Sequence, residues 1–440
     1  MRSRNIFSSA FQAFAGCPWW LHAAILLAMV ILRQPGHLLY PQFWAEDGPY
    51  WYKGAYDYGA ACLVMPHTGY LQTISRIGGL LASHLPLVMG PAVFFLIALV
   101  AQLAPPIYLL SRLGAPICPS KECRVVLSYL YVALPNVWEL HVNLTNAMSH
   151  LALLGVLVLM GETPKSKWGI GSILTLMALI GLSGPFSLFL APIALWQWWQ
   201  KRDRMAMANI LVLSMTALIQ GIFLFLSMYA TRSKAPLGAT IPRLARILSG
   251  EIVMGSLLGS RITSKLMFLP FWKTDWIPCL IALFGLAVIV VAVKTGPDSF
   301  RKFGTYSALL LTAALSTPQV TASMPQWEAM SICMTGTRYF FMPMLTWFSA
   351  LLVLSQNKHR ALRYLAFLLL GTASIGIVND WTCPRFQHYE EFMEQARQFD
   401  SAPSGTQVAI PKPSRIFDVF AAAIARKISG QEQCEYSSKK

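Results

Sequence analysis

Charge is what this chain is shortest of. Asp, Glu, Lys and Arg make up 12% of its 440 residues, about half of the ~25% usual in a soluble domain. That leaves too little polar surface to coat a water-soluble particle. Strict alternation is missing too. The apolar residues run on unbroken at 23–32, 151–160, 281–293 and 365–370. A membrane barrel shows ~10-residue alternating segments, so the expected class is an all-α polytopic membrane protein. Metal-spaced cysteine is also absent. Cys118 and Cys123 stand too far apart for a CxxC knuckle. Cys17, Cys62, Cys279 and Cys333 read as small apolar packing residues. Cys383 and Cys434 flank the last hydrophilic segment and are placed to bridge if it lies outside the cytoplasm. No cleavable leader is expected: the block from Trp19 runs into Arg33-Gln34-Pro35-Gly36 rather than a small-x-small site.

What is present is a series of apolar blocks separated by basic loops. A crossing helix needs ~20 mostly apolar residues, which predicts about eleven spans. They fall at 19–39, 88–111, 124–138, 147–161, 168–183, 185–199, 206–229, 275–294, 304–320, 339–356 and 361–378. Alternate loops hold the basic residues: Arg2 and Arg4; Arg112, Lys121 and Arg124; Lys165 and Lys167; Lys201, Arg202 and Arg204; Lys294, Arg301 and Lys302; Lys358, Arg360 and Arg363. The positive-inside rule then puts the N-terminus in the cytoplasm and the C-terminus in the periplasm of a bacterial inner membrane. The net charge of +16 is therefore topological, and nucleic acid is not an expected partner, because short scattered clusters build no basic groove. Only 230–273 breaks the bias, with Arg232, Lys234, Arg243, Arg246, Arg261, Lys265 and Lys273. Trp196, Trp198 and Trp199 before Lys201 read as an interfacial aromatic belt.

The expected organisation is a transmembrane domain over 1–378, with its first outer loop at 40–87, and a small periplasmic segment over 379–440. Within the loop, 69–85 spaces Leu71, Ile74, Ile77 and Leu81 opposite Gln72, Arg76 and Ser83. That pattern predicts an amphipathic helix lying on the outer membrane surface. In the tail, 407–410 reads as a short strand and 416–428 as an amphipathic helix.

Five polar motifs gather on the outer side of this topology. In Phe43-Trp44-Ala45-Glu46-Asp47-Gly48 two adjacent acids follow an aromatic stretch. Neighbouring side chains in extended chain diverge, so one can face a cavity while the other braces the loop. A carboxylate there can act as a general base or hold a metal, and the bland reading of Asp47 before Gly48-Pro49 is a helix start. Pro66-His67-Thr68-Gly69-Tyr70 closes the same loop, and His67 can assist the acids or simply face water. The run from Pro135 to Asn146 puts Glu139, Asn143 and Asn146 at helical spacing. Polar side chains at membrane depth favour a cavity wall. Gly181-Leu182-Ser183-Gly184-Pro185-Phe186 is a tight hairpin whose backbone N–H groups can hold an anion or merely turn the chain. Gly336-Thr337-Arg338-Tyr339 offers a guanidinium that can fork onto phosphate or snorkel to headgroups.

Together, Trp44-Ala45-Glu46-Asp47-Gly48, then Gly69-Tyr70-Leu71 with Arg76, then Glu139 with Asn143 and Thr145-Asn146, then Gly184-Pro185-Phe186, then Gly336-x-Arg338-Tyr339, make a chain that resembles bacterial membrane enzymes of the GT-C glycosyltransferase superfamily. The resemblance reaches to about Pro343. It implies a GT-C-like helical bundle that moves a sugar from a polyprenyl-phosphate donor to an envelope glycan such as O-antigen, at the periplasmic face, with inversion. It implies an acidic base in the first outer loop, Asp47 or Glu46, with Asp47 favoured and Glu46 in support. The departing phosphate calls for fixed positive charge, for which Arg338 leads, with Arg261, Lys265 and Arg76 as further candidates. His67, Tyr70, Glu139, Asn143, Asn146 and Tyr339 are candidate substrate contacts. No cofactor is required, because Arg can supply the charge, although some members of the superfamily use a divalent cation. The partners expected are the lipid-linked donor, the glycan or lipid-linked acceptor, and the bilayer. An O-antigen polymerase or ligase and a lipid-linked-sugar flippase are the competing readings. The first would show a large late outer loop rich in Arg and His, and the second broken helices with midplane charge.

Overall fold

The structure is a computed structural model that describes residues 8–227, 235–321, 323–382, 389–403 and 408. Arg2, Arg4, Arg232, Lys234, Cys383 and Cys434 lie outside the described residues, as do the expected strand at 407–410 (Val408 apart) and the expected helix at 416–428. The regular structure of the described residues is all helix, with no strand longer than an isolated bridge.

The apolar blocks are the helices, and their ends fall where the sequence supplies stops. In chain order the α-helices of eight residues or more are α1 (Ser9–Gly16), α2 (Trp19–Arg33), α3 (Thr73–Ser83), α4 (Gly90–Leu110), α5 (Lys121–Ala133), α6 (Ala147–Met160), α7 (Lys167–Leu182), α8 (Ser187–Lys201), α9 (Arg204–Ser227), α10 (Trp276–Thr295), α11 (Asp298–Ser316), α12 (Phe341–Ser355), α13 (Arg360–Asn379) and the acid-rich α14 (Tyr389–Ser401). Ser120 and Ser166 cap α5 and α7, each accepting from the N–H three residues on, at 3.2 and 3.0 Å. Arg202 ends α8 in the left-handed region at φ +54°, and its guanidinium lies over Trp198 and Trp199.

Among the described residues four helices are long and apolar enough to cross a membrane: Leu87–Leu110 (α4 with the turn leading into it), α9, α10 and α13. Joining α1 to α2 across their 96° bend would make five. The expected count of about eleven is not supported. The other predicted positions do hold helices, but α5 to α8 and α12 run only 13 to 16 residues, and α11 carries Asp298, Arg301 and Lys302 in its first turns. Burial separates the two groups. Only 17% of the α9 and α13 windows is buried, and Leu211, Met215, Leu218 and Phe225 stand open on α9. By contrast every residue of α6 is buried. An exposed apolar face of that extent fits lipid, not water, whereas α6 is the hydrophobic centre of the bundle, packed by α3, α4, α7, α8 and α11.

α3 corrects one expectation. It does not lie on the surface with its polar side outward. Ser75, Arg76, Gly78, Gly79 and Ala82 are buried, while Leu81 is 53% exposed. The inward face is small so that α3 can press against the π-helical turn Asp47–Tyr52. A Cβ on Gly79 would come within 2.1 Å of the Trp51 carbonyl oxygen. The C-terminal segment is not free-standing either. α14 buries Phe392 and Ala396. It sets Phe392 against Phe43 and Phe399 against Tyr56, and caps the turn at Leu87 and Val88 through the Asp400 carboxylate, at 2.7 and 3.3 Å.

Candidate functional site

The segment over 40–72 is folded by its own aspartate. Asp47 Oδ2 accepts from the Trp44 N–H at 3.1 Å, closing a turn in which Ala45 takes the left-handed φ of +37°. Asp47 Oδ1 accepts from the N–H and the hydroxyl of Thr145 at 3.0 and 2.8 Å. The Thr145 hydroxyl in turn accepts from Trp51 Nε1 at 2.9 Å. Both Asp47 oxygens are thus occupied, and the side chain is 2% exposed. Burial pushes its carboxyl up to about 7, against the pull of the Thr145 and Trp44 donors and with a small further push from Glu46. Glu46 emerges on the other side of the turn and lines a cavity of about 430 Å³. Among the described residues no hydrogen bond or ion pair holds its carboxylate. The two acids do diverge, one bracing and one facing the cavity, but their parts are the reverse of those expected: Asp47 braces the loop.

The opposite wall is an ion pair. Arg338 pairs with Glu139 through Nη1, and donates from Nη2 to the Gln319 carbonyl at 2.7 Å. Its guanidinium lies 4.8 Å from the centre of the Tyr339 ring. The second Glu139 oxygen accepts from the Thr337 hydroxyl at 3.2 Å. This fixes the fork of Arg338 at the cavity, where Glu139 and Tyr339 also line. Asn143 and Asn146 serve the loop itself. Their amides donate to the Glu139 carbonyl at 2.7 and 3.0 Å, and the Asn143 carbonyl accepts from the Asn146 N–H at 2.9 Å. Only Asn146 reaches the cavity. His67 and Tyr70 line it as well, held by a tight turn in which the His67 N–H donates to the Tyr70 carbonyl at 2.9 Å. The His67 ring lies against Tyr50 and edge-on to Trp51. Burial, helped by the nearby Arg76 charge, pushes it down to about 4. It is a neutral imidazole at neutral pH.

Three expected phosphate contacts lie elsewhere. Arg76 is 3% exposed, donates to the Tyr50 carbonyl at 2.8 Å, and sits 4.9 Å from the Trp51 ring centre. It stiffens the loop from behind. Arg261 is exposed and donates to the Thr382 carbonyl at 3.0 Å. Lys265 is exposed on the same short helix, Ser260–Leu266, away from the cavity. The anomalous charge of 230–273 is partly matched instead, Arg243 by Glu328 at 2.6 Å and Arg246 by Asp275 at 2.9 Å. The 181–186 hairpin is not an anion site. The Gly184 N–H donates to the Leu71 carbonyl at 2.8 Å, and the Ser183 hydroxyl accepts from the Ile74 N–H at 3.0 Å. Gln220, fully buried on α9, ties the turn to Leu71: its side-chain carbonyl accepts from the Leu71 N–H, and its NH2 donates to the Leu71, Gly181 and Gly184 carbonyls.

The cavity has two characters. One part is polar, with Glu46, His67, Tyr70, Glu139, Arg338 and Tyr339. The other is an apolar slot formed by Leu188 and Phe189 of α8, Leu224 of α9, and Leu310, Ala313 and Ala314 of α11. Sequence reasoning did not single out this slot, nor Trp44, Trp138, Gln72 and Gln319 as wall residues. The slot residues belong to ordinary apolar helix faces, and no local pattern marks them. Trp44 and Trp138 did carry a signal, Trp138 standing directly before Glu139 and Trp44 two residues before Glu46. Among the described residues no group of His, Cys, Asp and Glu is arranged to hold a metal ion.

The fold and cavity define a helical membrane-type protein with an amphiphilic pocket. Comparison with protein families, characterised proteins and solved structures finds no match for the chain.

Proposed function

We propose that this protein is a GT-C-like membrane glycosyltransferase. It moves a sugar from a polyprenyl-phosphate donor to an envelope glycan at the periplasmic face of a bacterial inner membrane, with the N-terminus cytoplasmic. One observation carries the reading: an apolar slot between α8, α9 and α11 runs into a chamber that holds an uncommitted carboxylate, Glu46, and a fixed guanidinium, Arg338. A ligand that fits both parts has a lipid chain and a polar, anionic head. In the reaction the Glu46 carboxylate takes the proton of an acceptor hydroxyl. The acceptor oxygen bonds to the anomeric carbon from the face opposite the phosphate, and the bond from that carbon to the phosphate oxygen breaks. The departing polyprenyl phosphate carries the negative charge, which Arg338 offsets in a site of low dielectric. Inversion follows from the opposite-face attack.

The experiment is transfer by the purified full chain in nanodiscs, with a polyprenyl-phosphate sugar as donor and product read by mass. Glu46→Gln is expected to lower turnover by ~10²–10⁴-fold, the range of a general base, with the protein folded. Normal turnover by this variant sinks the assignment of the base.

A further inference from the structure

Two of the anomalous cations in 230–273 have no acid beside them. Arg261 and Lys265 are exposed on the short helix Ser260–Leu266. Among the described residues no carboxylate lies within ion-pair reach of either. Arg261 donates to the Thr382 carbonyl at 3.0 Å, a bond that leaves its charge unopposed.

The place of this segment is fixed at both ends. At its start the Ser260 N–H donates to the Asp380 carboxylate at 2.6 Å, and Asp380 directly follows α13. At its finish Trp272 is buried, Asp275 pairs with Arg246 at 2.9 Å, and Trp276 opens α10. Both α10 and α13 are 20 residues long and apolar enough to cross a membrane, about 30 Å of helix each. The segment that joins the start of one to the finish of the other therefore runs level with a membrane boundary. The opposite ends of the same two helices carry Lys294, Arg301 and Lys302, and Lys358, Arg360 and Arg363. The positive-inside rule accounts for cations at one end of a span, not at both. Arg261 and Lys265 need a second cause.

Their neighbours supply it. Leu269, Phe271 and Trp276 are 42%, 41% and 61% exposed, so large apolar side chains follow unopposed positive charge within a few residues. Water suits the cations and not the rings, and hydrocarbon suits the rings and not the cations. The headgroup zone of a bilayer accommodates both. A phosphodiester brings the missing negative charge, and the chains attached to it cover the rings. A soluble phosphate would leave the rings in water, and a zwitterionic head brings a cation of its own, which Arg261 and Lys265 repel.

We propose that 260–276 is a docking shelf for an anionic phospholipid, with Arg261 and Lys265 on its phosphate and Leu269, Phe271 and Trp276 against its glycerol and upper acyl chains. The shelf contributes no residue to the cavity wall and does not depend on the transferase reading.

The test is photo-crosslinking of the full chain in phosphatidylcholine nanodiscs. They hold a trace of phosphatidylglycerol with a diazirine close to its glycerol, and peptic peptides covering 260–276 are read by mass. Labelling there is expected to exceed that by a phosphatidylcholine probe of the same design by ~25-fold, about fivefold for each cation, the size of one basic residue at an anionic surface. Lys265→Gln should lower the preference about fivefold, and adding Arg261→Gln should abolish it. Arg261→Lys with Lys265→Arg keeps both charges and should keep the preference. Lys265 forms no ion pair in the protein, so Lys265→Gln should melt as wild type does, and it decides the matter even if the double variant fails to fold. Equal labelling by the two probes, or a preference unchanged in Lys265→Gln, overturns the shelf. Displacement of the probe by polyprenyl phosphate, where unlabelled phosphatidylglycerol fails to displace it, overturns the assignment to phospholipid.

Discussion

At Asp47 three donors converge on a carboxylate that water scarcely reaches. Thr145 is the pivot, donating to Asp47 and accepting from Trp51. Thr145→Val keeps the shape and removes the hydroxyl, leaving the buried Trp51 Nε1 donor unpaired and Asp47 Oδ1 with only the backbone N–H of residue 145. The expected loss is about 1–3 kcal/mol, read by thermal unfolding in detergent. Asp47 also sets a pH dependence. Burial raises its folded value to about 7 from an ordinary 3.8, so between those values the folded state binds more protons than the unfolded one. Stability from this group is complete below about 3.8 and is lost as pH rises through about 7. The melting temperature of wild type relative to Asp47→Asn should therefore fall from pH 4 to pH 7, and a relative melting temperature that rises over that window refutes the assignment. At Arg338 the pair is only partly shielded, at 29% and 16% side-chain exposure. Arg338→Ala leaves Glu139 without its partner, and the expected destabilisation is about 1.5–3 kcal/mol, the worth of hydrogen bonds to a charged group. Arg338→Lys restores charge without the fork, so it should recover stability better than turnover.

Among the elements, α14 is the one whose position gives it a use. It comes from the far end of the described chain and lies on the loop over 40–72 and the turn after α3, with Phe392 on Phe43 and Asp400 on the turn at Leu87. Phe43 leads directly into Trp44 and the strained Ala45. Ending the chain at residue 388 is expected to loosen that loop, so trypsin should cut at the exposed Lys53 much faster than in the full chain. Asp400→Ala should give a smaller effect of the same kind, about 1 kcal/mol for a lost cap. An unchanged cleavage rate in the truncated chain would show that α14 does not hold the loop. α14 was not among the helices expected from the sequence, and its docking partner was not legible there either. That partner lies more than 300 residues away in sequence (Asp400 to Leu87, 313), and no local pattern encodes it.

The whole molecule has two ends. At one, basic loops tie helix to helix: Lys201 donates to the Gly161 carbonyl at 3.2 Å, Lys121 to the Gly16 carbonyl at 3.2 Å, and Lys302 reaches Gln197 and Gln200 of α8. At the other, the Glu46 loop, the Glu139 loop and Arg338 close around one cavity. Since α14 packs on the loop over 40–72, both must lie on the same side of any membrane. Cysteines placed at the exposed Tyr56 and Arg397 should react alike with a membrane-impermeant maleimide on whole cells. Labelling of one without the other contradicts the packing.

Composition and the run of apolar residues determined, by themselves, that the chain is helical and that its polar motifs are few. Helix formation depends on neighbours along the chain, so an apolar block and its serine or glycine stop can be read directly. How many of those helices are long enough to cross was not settled that way, because blocks of similar composition differ in where backbone hydrogen bonding ends. Only the tertiary structure decided which of two adjacent acids faces the cavity. The donors that claim Asp47 come from Trp44 and from Thr145, which is 98 residues away. A carboxylate is committed or free according to the donors that reach it through space, and sequence order does not record them.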